Sequence, residues 1–272
     1  MADKNIVIVT DCEEVALEQI KARLISILSN NNDNINFFNL IAKPFQINNG
    51  MFLFKLISEE VPLGENTLFL AIVNPSKIKP KRIFGKLKNG TWFVGADTGI
   101  FSLLFKEFGI KEVYTVKNQE HYPFGGLHIH TVIAGNLLLG NKEEEFGTLI
   151  AEKEILKKMP SKGEVLHIDN FGLIKVWARM EDFNFIEGDK VSIKILNSNR
   201  IFEGIFSNRM MNYEDNALIV YPGSSMLDKS RFDNIEEYRK SGLIEIGLVR
   251  NPNSAKELGI NLGDIVEIKK IS

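Results

Sequence analysis

The sequence predicts an α/β domain with a largely parallel sheet, followed by a smaller domain that forms a β-barrel or a β-sandwich. In the first part of the chain, short and almost continuously apolar runs alternate with helical patterns, which is typical of a sheet covered on both faces. In the second part, short alternating runs are separated by turn residues, as in small barrels and sandwiches. Because Pro160 and Gly163 interrupt the pattern, we assign residues 1–158 to the first domain and 159–272 to the second.

The first domain is predicted to begin with a strand at residues 5–10, because the run NIVIVT is β-branched and apolar. Leu17, Ile20 and Leu24 follow at the spacing of one helix face, and this helix ends in the polar tract 29–34. The same reasoning predicts further strands at 67–73, 92–96 and 113–116, and helices at 99–108, 133–139 and 143–158. In the second domain it predicts strands at 165–168, 173–178, 190–195, 201–206, 217–221, 243–249 and 264–271.

Composition and charge exclude several classes of protein. The formal net charge of -2 and the pI near 6.2 provide no basic surface for nucleic acid. Cys12 is the single cysteine, which indicates a reducing compartment. No apolar stretch is long enough to cross a membrane, and the N-terminus leads directly into a strand. We therefore expect a cytoplasmic protein with neither a nucleic-acid nor a membrane partner.

Three of the predicted strands are each followed by a short polar residue, namely Asp11, Asn74 and Asp97. Ligands of open parallel sheets bind outside the carboxyl ends of the strands, so these residues predict a pocket there. Each also has a structural interpretation. Asp11 and Glu14 have the spacing of a capping box, Asn74 before Pro75 can open a turn, and Asp97 can cap a helix.

Three histidines, His121, His128 and His130, form the other candidate cluster. His128 and His130 could share one face of a strand and bind a metal ion with a third ligand. We expect no metal site, because no Cys or carboxylate stands at a diagnostic spacing. Cys12 has no evident His base, so a buried apolar role is expected for it. The sequence has no phosphate-binding loop, dinucleotide fingerprint or nucleophile elbow, and we expect no cofactor.

Six motifs follow one another in a recognisable order. They are TDCE at 10–13, IVNPS at 72–76, ADTGIF at 96–101, FGGLH at 124–128, IDNFGL at 168–173, and GLIEIG at 242–247 followed by GDIV at 263–266. They resemble the motifs TDFG, VVDPGVG, PDNGLL, FHGRD, IDxFGN and GYLEIA of the S-adenosyl-L-methionine hydroxide adenosyltransferases, relatives of fluorinating and chlorinating enzymes. The resemblance spans nearly the whole chain.

The resemblance implies an α/β domain, a C-terminal β-barrel, and a homotrimer that binds a nucleoside ligand between subunits. In this family water or hydroxide attacks the ribose C5′ of S-adenosylmethionine, methionine leaves, and adenosine is formed. An Asp–Arg–His set holds the nucleophile, and an Asp after the first strand holds the ribose hydroxyls. S-Adenosylmethionine would be the substrate rather than a cofactor.

Most of the nucleophile-holding set is changed in this sequence. The family Asp corresponds to Asn74, the Arg to Lys81 with Arg82 adjacent, and the His to Gly125. An active enzyme would need His128 or His121 to replace the imidazole, so the expected catalytic residues are Asn74, Lys81 and His128.

The ligand-binding positions are better retained. The expected residues are Asp11, Asp97, Asp169 and Phe171, whereas Leu173 replaces the Asn on the adenine side. Losing one proton-transfer group typically costs about 10²–10⁴ in rate. Three hypotheses therefore stay open. They are a divergent S-adenosylmethionine hydrolase, a non-catalytic protein that binds adenosine or S-adenosylmethionine, and a pocket adapted to an unrelated small molecule.

Overall fold

The computed structural model describes residues 3–29, 33–75, 79–117 and 123–271. Its backbone contacts divide the chain into two compact units, Met1–Met159 and Pro160–Ser272. Each unit is built around one seven-stranded sheet. None of the described helices is long and apolar enough to cross a membrane.

The described residues of the first unit form seven strands and four α-helices. The strands are β1 Lys4–Thr10, β2 Ile35–Ile41, β3 Thr67–Ile72, β4 Arg82–Leu87, β5 Trp92–Ala96, β6 Ile110–Val116 and β7 Gly147–Leu149. The helices are α1 Glu14–Leu28, α2 Ile47–Ser58, α3 Ser102–Phe108 and α4 Thr131–Leu138. Spatially the strands follow the order β2-β1-β3-β5-β4-β6-β7.

This sheet is parallel in one half only, so the prediction of a largely parallel sheet is only partly correct. The pairs β1–β2, β1–β3 and β3–β5 are parallel, whereas β5–β4, β4–β6 and β6–β7 are antiparallel. The difference arises at β4, a strand that was not predicted from the sequence pattern. Only residues 88–91 connect β4 to β5. A parallel connection needs a dozen residues or more, so this short turn forces a hairpin.

Helices cover both faces of the sheet. On one face α1 and α4 bury Leu24 and Ile133 against Ile8 of β1 and other apolar strand residues. On the opposite face α2 contributes Phe54, whose ring centroid lies 5.5 Å from that of Phe69 on β3. This double coverage explains why the central strands read as continuous apolar runs rather than as alternating ones.

The predicted helix at 143–158 is wrong. The segment instead contains two short 3-10 turns, Glu143–Glu145 and Glu152–Glu154, with β7 between them. Gly147 pairs with Val116 of β6, and a β-carbon on Gly147 would lie 2.6 Å from the ring of Phe84. The glycine thus permits the close approach of an edge strand.

The second unit contains the strands β8 Val165–Ile168, β9 Ile174–Arg179, β10 Lys190–Ile195, β11 Arg200–Phe206, β12 Leu218–Pro222, β13 Leu243–Leu248 and β14 Val266–Lys270, with the short helices α5 Ile235–Ser241 and α6 Ser254–Leu258. The strand order is β14-β10-β11-β12-β13-β9-β8, and only the β11–β12 pair is parallel. The sheet curls until its two edges meet at a bridge between Glu164 and Ile265. All seven strands agree with the predicted ones to within two residues.

A buried ion pair lies in the second unit. Lys175 on β9 places its Nζ 2.6 Å from Oε1 of Glu245 on β13, and both side chains are buried. The hydroxyl of Tyr221 donates a hydrogen bond of 2.6 Å to the other oxygen of Glu245. Burial, and then the charge of Glu245, raise the pKa of Tyr221, so the phenol stays protonated and donates this bond.

Candidate functional site

A cavity of about 680 Å³ lies in the first unit, at the carboxyl ends of β1 and β3. Cavities of this size hold drug-sized small molecules. Its walls are mainly loop residues that follow the strands, together with the beginning of β4 and the segment before α4. The lining residues are Asp11, Cys12, residues 71–75, residues 79–82, Ala96, residues 124–126 and His130.

Asp11 connects two of the loops that line the cavity. Its carboxylate accepts hydrogen bonds from the backbone N–H of Phe45 at 3.1 Å and of Asn74 at 3.1 Å. It does not cap α1, because the capping position of that helix is Glu13, which makes no side-chain cap. A carboxylate has about four acceptor sites, so Asp11 keeps acceptor capacity for a ligand hydroxyl. Asn74 lines the same cavity, and its backbone is fixed by Asp11.

Lys81 and Arg82 bring positive charge to the cavity wall. Arg82 is the first residue of β4 and pairs with Ala96 of β5. Burial lowers the pKa of Arg82, but an arginine starts so far above neutrality that the guanidinium remains charged. A β-carbon on Gly125 would lie 3.1 Å from Nη2 of Arg82. The absence of a side chain at position 125 therefore makes room for the guanidinium.

Asp97 follows β5 but is not among the residues that line the cavity. Its Oδ1 accepts a hydrogen bond of 2.9 Å from the backbone N–H of Leu156, and its own N–H donates to the carbonyl oxygen of Lys81. Burial raises the pKa of Asp97, although the Leu156 hydrogen bond and the charge of Lys81 oppose this effect. In this structure Asp97 holds the segment at Leu156 and the backbone of Lys81 in place.

His128 and His130 do not converge, because they lie on a helical turn and not on the strand face that their spacing could have given them. Residues Gly126–His130 form a π-helical turn that continues into α4, so side chains two positions apart point in different directions. His128 is exposed and lines a separate depression of about 230 Å³ beside Lys117. His130 is only 6% exposed and lines the cavity at the ends of β1 and β3. His121 lies outside the described residues.

His130 carries polar atoms that the surrounding protein does not satisfy. Among the described residues, neither ring nitrogen forms a hydrogen bond of acceptable distance and angle, although the backbone of Ala71 interacts with the ring. Burial, and then the charge of Arg82, lower the pKa of His130 to about 4, and the backbone of Ala71 only partly opposes this shift. At pH 7 the ring is therefore neutral, with one donor and one acceptor nitrogen.

The sequence did contain a signal for the position of His130. Ile133, Ala134 and Leu137 follow it at the i+3, i+4 and i+7 spacing of a buried helix face. Beginning the helix at residue 126 instead of 133 would have placed His130 on that face, and His128 away from it.

Cys12 also lines the cavity, but its chemistry is not that of a nucleophile. Burial is the main cause that raises the pKa of its thiol above the ordinary value. The reactive form of cysteine is the thiolate, so this side chain stays protonated at neutral pH.

Asp169 and Phe171 lie in the second unit, in the turn after β8. Oδ1 of Asp169 accepts hydrogen bonds from the N–H groups of Phe171 at 2.9 Å and Leu173 at 3.0 Å. Gly172 between them has a φ of 77°, and a β-carbon there would lie 2.6 Å from the carbonyl oxygen of Pro252. The turn holds the Phe171 side chain in a position where 66% of it is exposed.

Comparison with known proteins agrees with this architecture. Residues 6–147 match the SAM hydroxide adenosyltransferase N-terminal domain. The chain is 25% identical over 224 residues to the (R)-S-adenosyl-L-methionine hydrolase of Methanocaldococcus jannaschii, covering 78% of this chain and 82% of that protein.

Two solved structures share the fold. An uncharacterized conserved protein from Thermotoga maritima has a TM-score of 0.75 at 21% identity, covering 97% of this chain and 100% of that one. A conserved hypothetical protein from Thermus thermophilus has a TM-score of 0.71 at 18% identity, covering 98% and 100%. With more than half of its sequence matched, and the strand-end cavity in the matched part, the chain belongs to the SAM hydroxide adenosyltransferase family.

Proposed function

We propose that this protein hydrolyses S-adenosyl-L-methionine to adenosine and L-methionine. The observation that carries the proposal is that one cavity contains both Asp11, the position at which the family holds ribose, and Arg82, a charged guanidinium on a strand. Family membership and the activity named for the archaeal relative support the same substrate.

In the proposed reaction the oxygen of a water molecule forms a bond to C5′ of the ribose. The C5′–S bond breaks, its electron pair returns to sulfur, and the sulfonium becomes the neutral thioether of methionine. One proton is lost from the attacking water. Because a sulfonium is already a good leaving group, the protein needs mainly to position the water and exclude bulk solvent.

The predicted residues take the following roles in this proposal. Asp11 accepts hydrogen bonds from the ribose hydroxyls with the acceptor sites left free by its two backbone bonds. Asn74 donates or accepts a hydrogen bond near the reacting atoms without carrying a charge. Lys81 adds a second cation to the wall, and Asp97 keeps the backbone of Lys81 in place. His128, on its exposed turn, has no role in the proposed reaction.

We further propose that the chain forms a homotrimer and that Asp169 and Phe171 take part in binding the nucleoside. The exposed ring of Phe171 has the apolar surface that a flat base can stack against. Multi-angle light scattering tests the assembly, since a trimer has three times the 30.8 kDa mass of the chain.

A second candidate function is binding of adenosine or S-adenosylmethionine without hydrolysis. The specific observation in its favour is that Asn74 and Gly125 provide neither the carboxylate nor the imidazole of the family set. In that case the cavity would retain ligand affinity and lack turnover.

The deciding experiment is incubation with each sulfonium epimer of S-adenosylmethionine, followed by chromatography of the products. Hydrolysis releases adenosine and methionine in equal amounts, and in ¹⁸O-labelled water the label enters the 5′-hydroxyl of adenosine. If no product forms but calorimetry detects adenosine binding, the binding function replaces the hydrolase. If neither signal is found, both proposals are wrong.

A further inference from the structure

His130 is a buried polar side chain that the fold itself does not explain. Buried polar groups nearly always have hydrogen-bond partners, so an unpartnered one requires a specific reason. Both ring nitrogens of His130 lack a hydrogen bond of acceptable geometry among the described residues, although the ring lines a cavity of about 680 Å³. Such a residue fits a group that is satisfied only when a ligand or an ordered water is present.

The backbone around His130 is unusual as well. The turn that carries it is π-helical, and π-helical turns frequently occur at functional sites. Phe124, just before the turn, has a φ of 55°, which is strained for a bulky residue. Gly126 lets the turn approach β3, since a β-carbon there would lie 2.5 Å from Cγ2 of Ile72. These features bring the imidazole against the cavity wall.

The neighbour of His130 in the cavity is Arg82. The charge of Arg82 acts on the ring electrostatically, and the guanidinium occupies the space beside Gly125. Position 125 corresponds to the histidine of the family motif FHGRD. The sequence has thus lost an imidazole at 125, and the structure places another one, from 130, in the same cavity.

We infer that His130 and Arg82 together hold the attacking water, and that His130 replaces the imidazole missing at position 125. This inference rests on the proposed hydrolase function. The ring nitrogens are closed off as the side chain stands, so a rotation of the imidazole about its Cβ–Cγ bond, which has a broad energy profile, brings one nitrogen to the cavity.

The two groups have complementary tasks. The guanidinium donates a hydrogen bond to the water oxygen and favours loss of its proton, because the resulting hydroxide is negatively charged. The neutral imidazole accepts that proton as the oxygen bonds to C5′, and then returns it to solvent. The positive charge of Arg82 makes the imidazolium short-lived, so the ring is reset for the next turnover.

The test compares the same substitution at two histidines of one turn. In His130→Leu we expect kcat for adenosine release to fall about 10²-fold or more, while KM for S-adenosylmethionine changes less than about threefold. His130→Gln, which keeps a donor and an acceptor, should recover part of kcat. His128 is the competing candidate for this role, so His128→Leu is measured in parallel. If His128→Leu lost turnover and His130→Leu kept it, the inference would be overturned.

Thermal unfolding separates this role from a structural one. Since leucine removes two unpartnered nitrogens, the unfolding temperature of His130→Leu should equal or exceed that of the wild type. A fall in both kcat and unfolding temperature would mean that His130 only supports the fold. The Arg82→Lys change should also be non-additive with His130→Leu, because the two groups act on one water. Independent, multiplicative losses would contradict a shared role.

Adenosine release by the wild type distinguishes a failure of the hydrolase proposal from a failure of the proposal for His130. If the wild type releases no adenosine, the hydrolase function fails and the inference about His130 fails with it. If the wild type and His130→Leu release adenosine at similar rates, the hydrolase function stands and only the role of His130 is refuted.

Discussion

The guanidinium of Arg82 lies against the α-carbon of Gly125, so close that an added β-carbon would be 3.1 Å from Nη2. Gly125 itself has ordinary right-handed helical angles, with φ at -55° and ψ at -27°. Its small size therefore serves the neighbouring side chain rather than the conformation of the backbone. A substitution at this position should disturb the arginine without straining the fold.

We predict that Gly125→Ala lowers adenosine release about tenfold and leaves stability unchanged or slightly higher. The methyl group displaces the guanidinium, whereas alanine at helical angles favours the folded chain by up to about 1 kcal/mol over glycine. Product chromatography and thermal unfolding give the two readouts. Unchanged turnover would show that the position of the guanidinium does not matter.

The matched control is Gly126→Ala on the same turn. Its β-carbon would lie 2.5 Å from Cγ2 of the buried Ile72, so it should destabilise the protein by roughly 1–3 kcal/mol through overpacking. If both alanine variants had the same turnover and the same stability, Gly125 and Gly126 would not have the separate roles described above.

Protonation of His130 should make the protein less stable in mild acid. The pKa of His130 is about 4 in the folded chain and 6.5 when unperturbed, so the unfolded chain binds the proton more readily between these values. The contribution of the neutral His130 to the free energy of unfolding is complete above about pH 6.5 and is lost as the pH falls towards 4. The total loss is roughly 3 kcal/mol. Urea unfolding at several pH values measures it.

His130→Leu is the reference for that experiment, because the other titrating groups are common to both proteins. As the pH is lowered from 6.5 towards 4, the free energy of unfolding of the wild type should fall more than that of His130→Leu. A difference that is independent of pH would mean that the imidazole titrates normally.

Asp11→Asn should weaken adenosine binding by about 10–100-fold, because the ribose hydroxyls lose a charged acceptor worth about 1.5–3 kcal/mol. The asparagine oxygen can still accept from the backbone of Phe45 or Asn74, so the fold should survive. Titration calorimetry with adenosine provides the measurement. Glu18→Gln, at the exposed Lys21 pair on α1, is the control and should bind as the wild type does.

Glu245→Ala should destabilise the protein by about 3 kcal/mol or more, because it leaves the charge of Lys175 buried without its nearest partner. Asp169, whose Oδ2 lies 3.5 Å from the same ammonium, compensates only in part. Denaturant unfolding measures the effect. Glu237→Ala, which breaks an exposed pair with Lys240, should leave the unfolding curve unchanged, and an equal effect of both substitutions would contradict the role of burial.

The sequence predicted the strands of the second unit well because each has alternating residues and clear turn residues on both sides. Strand β4 was not predicted, because Pro80 and the charged residues beside it do not give the apolar pattern of a strand. Its conformation depends on the antiparallel pairing with β5 and β6. The position of His130 in the cavity was not predicted either, because the H-x-H spacing alone does not indicate the π-helical turn on which it lies.

The strand-end residues were predictable because strand direction alone brings Asp11 and Asn74 to the same edge. The partners of Arg82 were not, since they depend on the packing of a π-helical turn against β3. A local pattern can indicate where chain segments end, but which side chains then meet inside a cavity is decided by contacts between distant segments.

The reversed direction of β4 fixes the charge in the cavity on a rigid support. In a sheet whose ligand lies beyond the ends of parallel strands, side chains normally reach it from loops. Here the antiparallel strand begins at that edge, so Arg82 is held by backbone pairing with Ala96 while the next residue, Ile83, pairs with Thr115 on the other side. The backbone position of this cation is therefore set by the sheet and not by the loop that precedes β4.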